Sequence, residues 1–154
     1  DFEGHASFSR KVTWYSAGPF GAILPVLIGK GARQKHFPEF FLSSPIEFRM
    51  GLLAGLIDTD GGINVNERKG KKTQINGTIT TTSERLAYET VALLNSLGMS
   101  AGISESEIKS GTCYSIYLST ATLLEMKKTL LLFHPTKMAN LQKVSEEALV
   151  DREM

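Results

Sequence analysis

Two aspartates with one residue between them, Asp58 and Asp60, close the apolar run Leu53-Ala54-Gly55-Leu56-Ile57 and are followed by Gly61 and Gly62. Upstream, Ser43-Ser44-Pro45-Ile46-Glu47 reads as a helix start, with Ser44 as N-cap, Pro45 at the first helical position and Glu47 closing a capping box. The helix is expected to run to about Asp58. Both carboxylates then lie at its carboxyl end, where the macrodipole disfavours an exposed negative charge by roughly 0.3–1 kcal/mol each. A cation reverses that sign. Two such helix ends brought together would let carboxylates share divalent ions, and hard oxygen ligands with open positions favour Mg2+. The same Asp-Thr-Asp-Gly-Gly composition also suits a plain turn.

Gly51 and Gly55 lie four residues apart on one face of this helix, flanked by Ala54. Glycine in a helix interior costs about 0.5–1 kcal/mol relative to alanine, so the face must allow a close approach. Either the sheet of the same domain or a second helix of the same pattern would use it. Gly51, Ala54 and Gly55, with Asp58 at the helix end, are the candidate interface. Two other readings of the aspartates fail on spacing. An aspartic protease half-site needs glycine after Asp-Thr, where Asp60 stands, and an EF-hand needs a ligand and a glycine where Gly62 and Ile63 stand.

The elements that must position these residues come from 154 residues, 42% hydrophobic and 21% charged, enough for one compact domain or two small ones. That balance excludes a disordered tail or a collagen-like fibre. The longest apolar stretches, Ala22 to Ile28 and Leu52 to Ile57, fall far short of the roughly 18–20 residues a membrane span needs. No signal peptide is expected from the acidic start Asp1 to Gly4, and no membrane partner. Cys113 is the single cysteine, so neither an internal disulfide nor a cysteine metal cluster can form. An intracellular, reducing setting follows as the expectation: bacterial or phage cytoplasm, or an organelle. Seventeen basic and sixteen acidic residues leave a net charge of +1, so charge balance alone does not announce a nucleic-acid partner.

Along the chain, Phe8 to Tyr15 alternates as a strand would, and Phe20, Ile23, Leu24, Leu27 and Ile28 recur at helical spacing around Pro25. Gly29-Lys30-Gly31 ends that helix, and a basic loop holding Arg33 to Pro38 follows. Beyond Gly62 the period becomes two. Ile63 and Val65 alternate with Asn64, Asn66 and Arg68; after a Lys69-Gly70-Lys71 turn, Ile75 and Ile79 alternate with Gln74, Asn76, Thr78 and Thr80. Ser83 begins an amphipathic helix closed by Gly98. A second hairpin is expected over Ser100 to Ser106 and Thr112 to Ser119, then helices from Thr122 to about Phe133 and from Lys137 to Leu149. Hairpins separated by helices predict an α+β fold, one antiparallel sheet with helices packed on one face.

The nine residues Leu53 to Gly61, Leu-Ala-Gly-Leu-Ile-Asp-Thr-Asp-Gly, closely resemble the signature of the LAGLIDADG homing endonucleases, differing only by threonine for the second alanine. The order of elements from about Pro45 to Val150 resembles the core of that family. The resemblance implies site-specific, Mg2+-dependent cleavage of double-stranded DNA over a long target, with two motif helices side by side at the interface between two halves. One essential acid comes from each half. Here that acid, and the metal ligand, would be Asp60, while Asp58 more often serves structure. Lys35-His36-Phe37-Pro38 resembles the Lys-x-x-Pro segment that precedes the second motif helix in two-motif and intein-embedded members, and Lys137 resembles its counterpart. These lysines would stabilise charge at the phosphate or orient water. Residues 1–44 would then be the tail of a preceding half and 45–154 a complete half. The second half would be a homodimer mate, a separate chain or a covalently linked segment, in a protein that is intron- or intein-encoded. Some relatives are DNA- or RNA-binding modules, maturase-like, without cleavage, and this alternative stands beside the endonuclease.

In that family the sheet enters the major groove, which admits a two-stranded ribbon. The polar face Asn64, Asn66, Arg68, Gln74, Asn76, Thr78 and Thr80 would meet base edges, and Lys69, Lys71 and Lys72 at the hairpin tip would meet phosphates. Ser115 and Tyr117 are candidates on the second hairpin, together with Ser104 and Ser106. Glu105 and Glu107 would repel phosphate if they faced it. Thr81 falls where relatives hold a polar group that positions solvent near the metals.

Overall fold

Alternation of apolar and polar residues along Gly61–Asn66 (β1) and Gln74–Thr81 (β2) gives the first hairpin, in antiparallel register with Ile63 opposite Gly77 and Asn64 opposite Asn76. The computed structural model describes residues 19–66 and 74–145. The strand expected over Phe8 to Tyr15, the tip residues Arg68, Lys69, Lys71 and Lys72, and everything beyond residue 145 lie outside them. Ala101–Ile108 (β3) and Gly111–Leu118 (β4) form a second hairpin, and β4 pairs with β2, so the sheet order is β1-β2-β4-β3 with every pair antiparallel.

Among the described residues five α-helices complete the fold: Pro19–Ile28 (α1), Ile46–Asp60 (α2), Glu84–Ser96 (α3), Thr120–Thr129 (α4) and Pro135–Gln142 (α5). The expected α+β class is what the chain adopts. Ile79 and Ile116 of the sheet are fully buried together with Leu53, Leu93, Leu94, Leu123, Met126 and Leu141 of the helices. Each such side chain contributes about 1.5–3 kcal/mol relative to exposure. Helix α4 lies so close on β2 that a Cβ at Gly77 would come within 2.8 Å of a Leu123 methyl. Only glycine fits there. No helix among the described residues is long and apolar enough to cross a membrane.

Four helix ends differ from the sequence expectation. Helix α2 starts at Ile46 with Pro45 in the N-cap position and no side-chain cap, because the Ser44 hydroxyl donates instead to the carbonyl of Phe40 at 2.9 Å. Its far end reaches Asp60, not Asp58. Helix α4 stops at Thr129 instead of near Phe133, and α5 begins at Pro135, two residues before the expected Lys137, with His134 as its N-cap.

Candidate functional site at the end of α2

Helix α2 passes into β1 with no loop between them, and Gly61 makes that possible. A Cβ on Gly61 would lie 2.8 Å from Ile57 Cα and 2.9 Å from the Ile57 carbonyl oxygen, while its N–H donates to that same carbonyl. The junction fixes Asp60 where the helix axis meets the sheet. Its side chain is about one-third exposed (34%), and the Lys35 ammonium stands 3.2 Å from Oδ2. Such an exposed pair is worth only about 0–1 kcal/mol. Its interest is placement: a cation and an anion from segments 25 residues apart meet at one point.

Lys35 is carried by a firmly tied loop. Gly29 has a φ of +77°, and a Cβ there would overlap the Gln34 carbonyl, so the chain can fold back only through glycine. His36 N–H then donates to the Ile28 carbonyl at 3.0 Å. The buried Ser83 hydroxyl donates to the Lys35 carbonyl at 2.5 Å while accepting from Leu86 N–H at 3.2 Å, so a single side chain caps α3 and holds the loop. Glu89 accepts from Phe37 N–H at 2.6 Å and from Arg85 Nε at 2.7 Å. Phe37 and Phe41 are both buried, with ring centroids 5.2 Å apart. The segment expected to belong to a preceding half thus contributes to the core of this one.

The second lysine does something else. Lys137 Nζ donates to the carbonyls of Ile57 and Asp58, each at 2.8 Å, which places a positive charge on the carboxyl end of α2. Asp58 turns the other way, accepting from Phe133 N–H at 2.8 Å and His134 N–H at 3.1 Å. Asn140 donates to the Ile63 carbonyl at 2.7 Å, tying α5 to β1. Thr81 is buried and accepts from Ser83 N–H at 3.1 Å. Its hydroxyl therefore serves the β2–α3 junction.

Gly51 and Gly55 are exposed on α2, and a Cβ at either would meet no atom within 4 Å. With Leu52, Leu56, Phe37, Pro38 and Leu86 they line a groove of about 550 Å3 that ends at Lys35, Thr59 and Asp60. Ala54, beside the glycines on the helix, is turned inward and buried with Leu53 and Ile57 against this chain's own core. Of the four candidate interface residues, the two glycines therefore line the open face, and Ala54 and Asp58 are engaged within the chain.

No group of three or more histidine, cysteine, aspartate or glutamate side chains that could hold a metal ion occurs among the described residues. With both Asp58 oxygens bonded, the end of α2 offers one carboxylate, Asp60, to a cation. Mg2+ is commonly held by one or two carboxylates completed by water and substrate phosphate. The donor set therefore fits an ion shared with a second acid and DNA, and does not fit one that this chain encloses alone.

The model of the LAGLIDADG-like domain family matches residues 47–132, more than half of the chain. The chain belongs to the LAGLIDADG-like domain family. It is also 37% identical over 75 residues, 49% of its own length, to a DNA polymerase of Thermococcus kodakarensis, of which the match spans only 4%.

In this LAGLIDADG-like chain one face of the four-stranded sheet carries no helix among the described residues. Asn64, Asn66, Gln74, Asn76 and Thr80 are exposed on it, Thr78 is half-buried, and Thr78 and Thr80 pair with Tyr117 and Ser115 of β4. Ser104 stands opposite Ser115 on the same side. Glu105 faces the other way: it pairs with Tyr114, which is buried, and accepts from the Tyr88 hydroxyl of α3 at 3.3 Å. The alternation that points Glu105 and Glu107 towards the helices keeps both off the open face. Sequence reasoning missed Glu89 and Asn140, whose partners lie 52 and 77 residues away, and read Ser83 only as a helix start.

Proposed function

We propose that this LAGLIDADG-like chain is one half of a site-specific, Mg2+-dependent endonuclease that hydrolyses phosphodiester bonds of double-stranded DNA over a long target. The observation that carries the reading is Asp60 at the tip of a glycine-faced helix, beside an open groove and with Lys35 at 3.2 Å. Gly51 and Gly55 leave room for a second motif helix, which would bring a second acid to the same place. Asp60 and that acid would hold the ion from two sides. A bound Mg2+ supplies an activated water and charge neutralisation at the phosphate.

The chain's own groups do the rest. Lys35 is close enough to Asp60 to exchange its carboxylate contact for a non-bridging phosphate oxygen and to stabilise charge developing there. Lys137 and Asp58 hold the α2 end against α5, which fixes the direction in which Asp60 points. The open sheet face carries polar side chains suited to the major groove. A short match inside a much longer polymerase supports a domain that is inserted into a host protein, as in an intein.

The test is Mg2+-dependent cleavage of a randomised duplex library by this chain, with the cut ends sequenced and Asp60→Asn run beside it under matched folding. Palindromic sites would identify a homodimer, and asymmetric sites a single-chain site that draws on residues 1–50. Equal cutting by Asp60→Asn refutes the assignment of Asp60. Sequence-selective retention of duplex by the folded chain without any cutting would point to a missing partner half or to the binding-module alternative, and adding a second LAGLIDADG half separates the two.

A further inference from the structure

The open face of the sheet is chemically divided. Its β1–β2 half carries four amides in two facing pairs, Asn64 opposite Asn76 and Asn66 opposite Gln74, and all four side chains are exposed. Facing residues have Cβ atoms about 4.5–5.5 Å apart. Successive outward positions on a strand are about 6.8 Å apart, because each residue advances about 3.4 Å. Two base pairs of duplex rise by about the same distance. The two amide pairs therefore match two base-pair positions separated by one.

A carboxamide presents a donor and an acceptor side by side. Adenine offers the complementary pair, the N6 amino group and N7, on its major-groove edge. Guanine offers two acceptors there, and cytosine one donor, so neither satisfies both halves of an amide. The β3–β4 half is different: its outward residues include Gly102, Ser104, Ser106, Ser115 and Tyr117, with no amide among them. Ser104 Oγ already donates to the Tyr117 hydroxyl at 3.3 Å and Ser106 Oγ to the Cys113 carbonyl at 3.5 Å. A serine hydroxyl donates or accepts and so discriminates weakly between bases.

We infer that the facing amide pairs Asn64/Asn76 and Asn66/Gln74 are specificity-determining residues that read adenine at two positions two base pairs apart, while the segment beneath β3–β4 is read loosely. The inference rests on the DNA reading proposed above, and it adds the base identity, the spacing and the unequal stringency of the two hairpins.

Binding selection tests it without requiring cleavage. The chain, the double variant Asn64→Ala/Asn76→Ala and the single variant Gln74→Arg are each used to select from a randomised duplex library at low salt, with thermal melting showing that all three fold alike. The expected result for the parent is adenine at two positions two base pairs apart, each preferred roughly 5- to 150-fold. Asn64→Ala/Asn76→Ala removes the preference at one of them and leaves the other. The single variant Gln74→Arg keeps the adenine opposite Asn64/Asn76 and changes the other adenine to guanine, because a guanidinium matches two acceptors. Enriched sequences without that adenine pair, or a base pattern unmoved by both variants, overturn the amide assignment and leave the DNA reading standing. A folded parent that enriches no duplex sequence overturns both.

Discussion

Replacing Gly51 and Gly55 by alanine should raise the stability of the isolated chain and weaken its assembly, two effects of opposite sign from one pair of methyl groups. In the structure neither Cβ would meet an atom within 4 Å, so within the chain only the backbone term remains. Alanine in a helix interior is better than glycine by about 0.5–1 kcal/mol, so the double variant gains about 1–2 kcal/mol. For a chain of this size, roughly 2–4 °C per kcal/mol converts that to a rise in Tm of about 2–8 °C. At an interface of close-packed helices the same methyls cause overpacking, which typically costs about 1–3 kcal/mol, a roughly 5- to 150-fold weaker Kd. Thermal unfolding by circular dichroism at several protein concentrations separates the two, since only an assembled species has a concentration-dependent Tm. Sedimentation gives the affinity for a second copy or an added half. A lower Tm at concentrations where parent and variant are both monomeric would show that the face is not open. An unchanged affinity would remove this face from the interface.

Gly61→Ala should lower stability by about 1–3 kcal/mol in chemical denaturation, because its Cβ would press on Ile57 backbone atoms that cannot yield; an unchanged midpoint would contradict the loopless helix-to-strand junction. Asp58→Ala should cost about 1–3 kcal/mol by leaving Phe133 and His134 N–H groups unpaired, and faster hydrogen exchange at those two amides is the specific readout. Equal exchange in variant and parent would refute the clasp. The Tyr88 phenol titrates above its ordinary value, chiefly because the Glu105 carboxylate disfavours a nearby phenolate. Glu105→Gln should move that titration down, followed by the tyrosine absorbance or NMR signals. A Tyr88 titration that does not move would mean that Glu105 does not face α3.

The strands were the legible part of this fold because a sheet with one open face writes its orientation into the sequence. Ile63, Ile79 and Ile116 are buried while Asn64, Asn66 and Asn76 are exposed, as the period-two alternation requires. The glycine face and the aspartate pair were legible for the same local reason. What could not be read locally was decided by partners far along the chain. Leu130-Leu131-Leu132-Phe133 is apolar throughout and shows no period, so it extends a helix on paper. In the structure Leu130 and Leu132 are buried while Leu131 and Phe133 are exposed, an extended segment whose next amides are held by Asp58. Likewise Ser44 has the right residue type for an N-cap, but the Phe40 carbonyl takes its hydroxyl.

The unfavourable charge at the end of α2 meets three different answers in the structure, and together they single out one residue. Two aspartates at a helix carboxyl end need positive charge or hydrogen-bond donors nearby. Lys137 supplies charge directly to the terminal carbonyls, and Asp58 takes two N–H donors at the entrance of α5. Neither group faces the groove. Asp60 is left with an exposed lysine as its counter-ion, in a contact worth little and therefore easily exchanged. The two lysines that look equivalent in sequence thus differ in kind: Lys137 holds the terminal carbonyls of α2, and Lys35 stands at the aspartate of that helix end whose carboxylate no backbone N–H engages. Loss of Lys137 should accordingly show first as loss of stability. Loss of Lys35 should leave the fold intact and show only when DNA and a divalent cation are present.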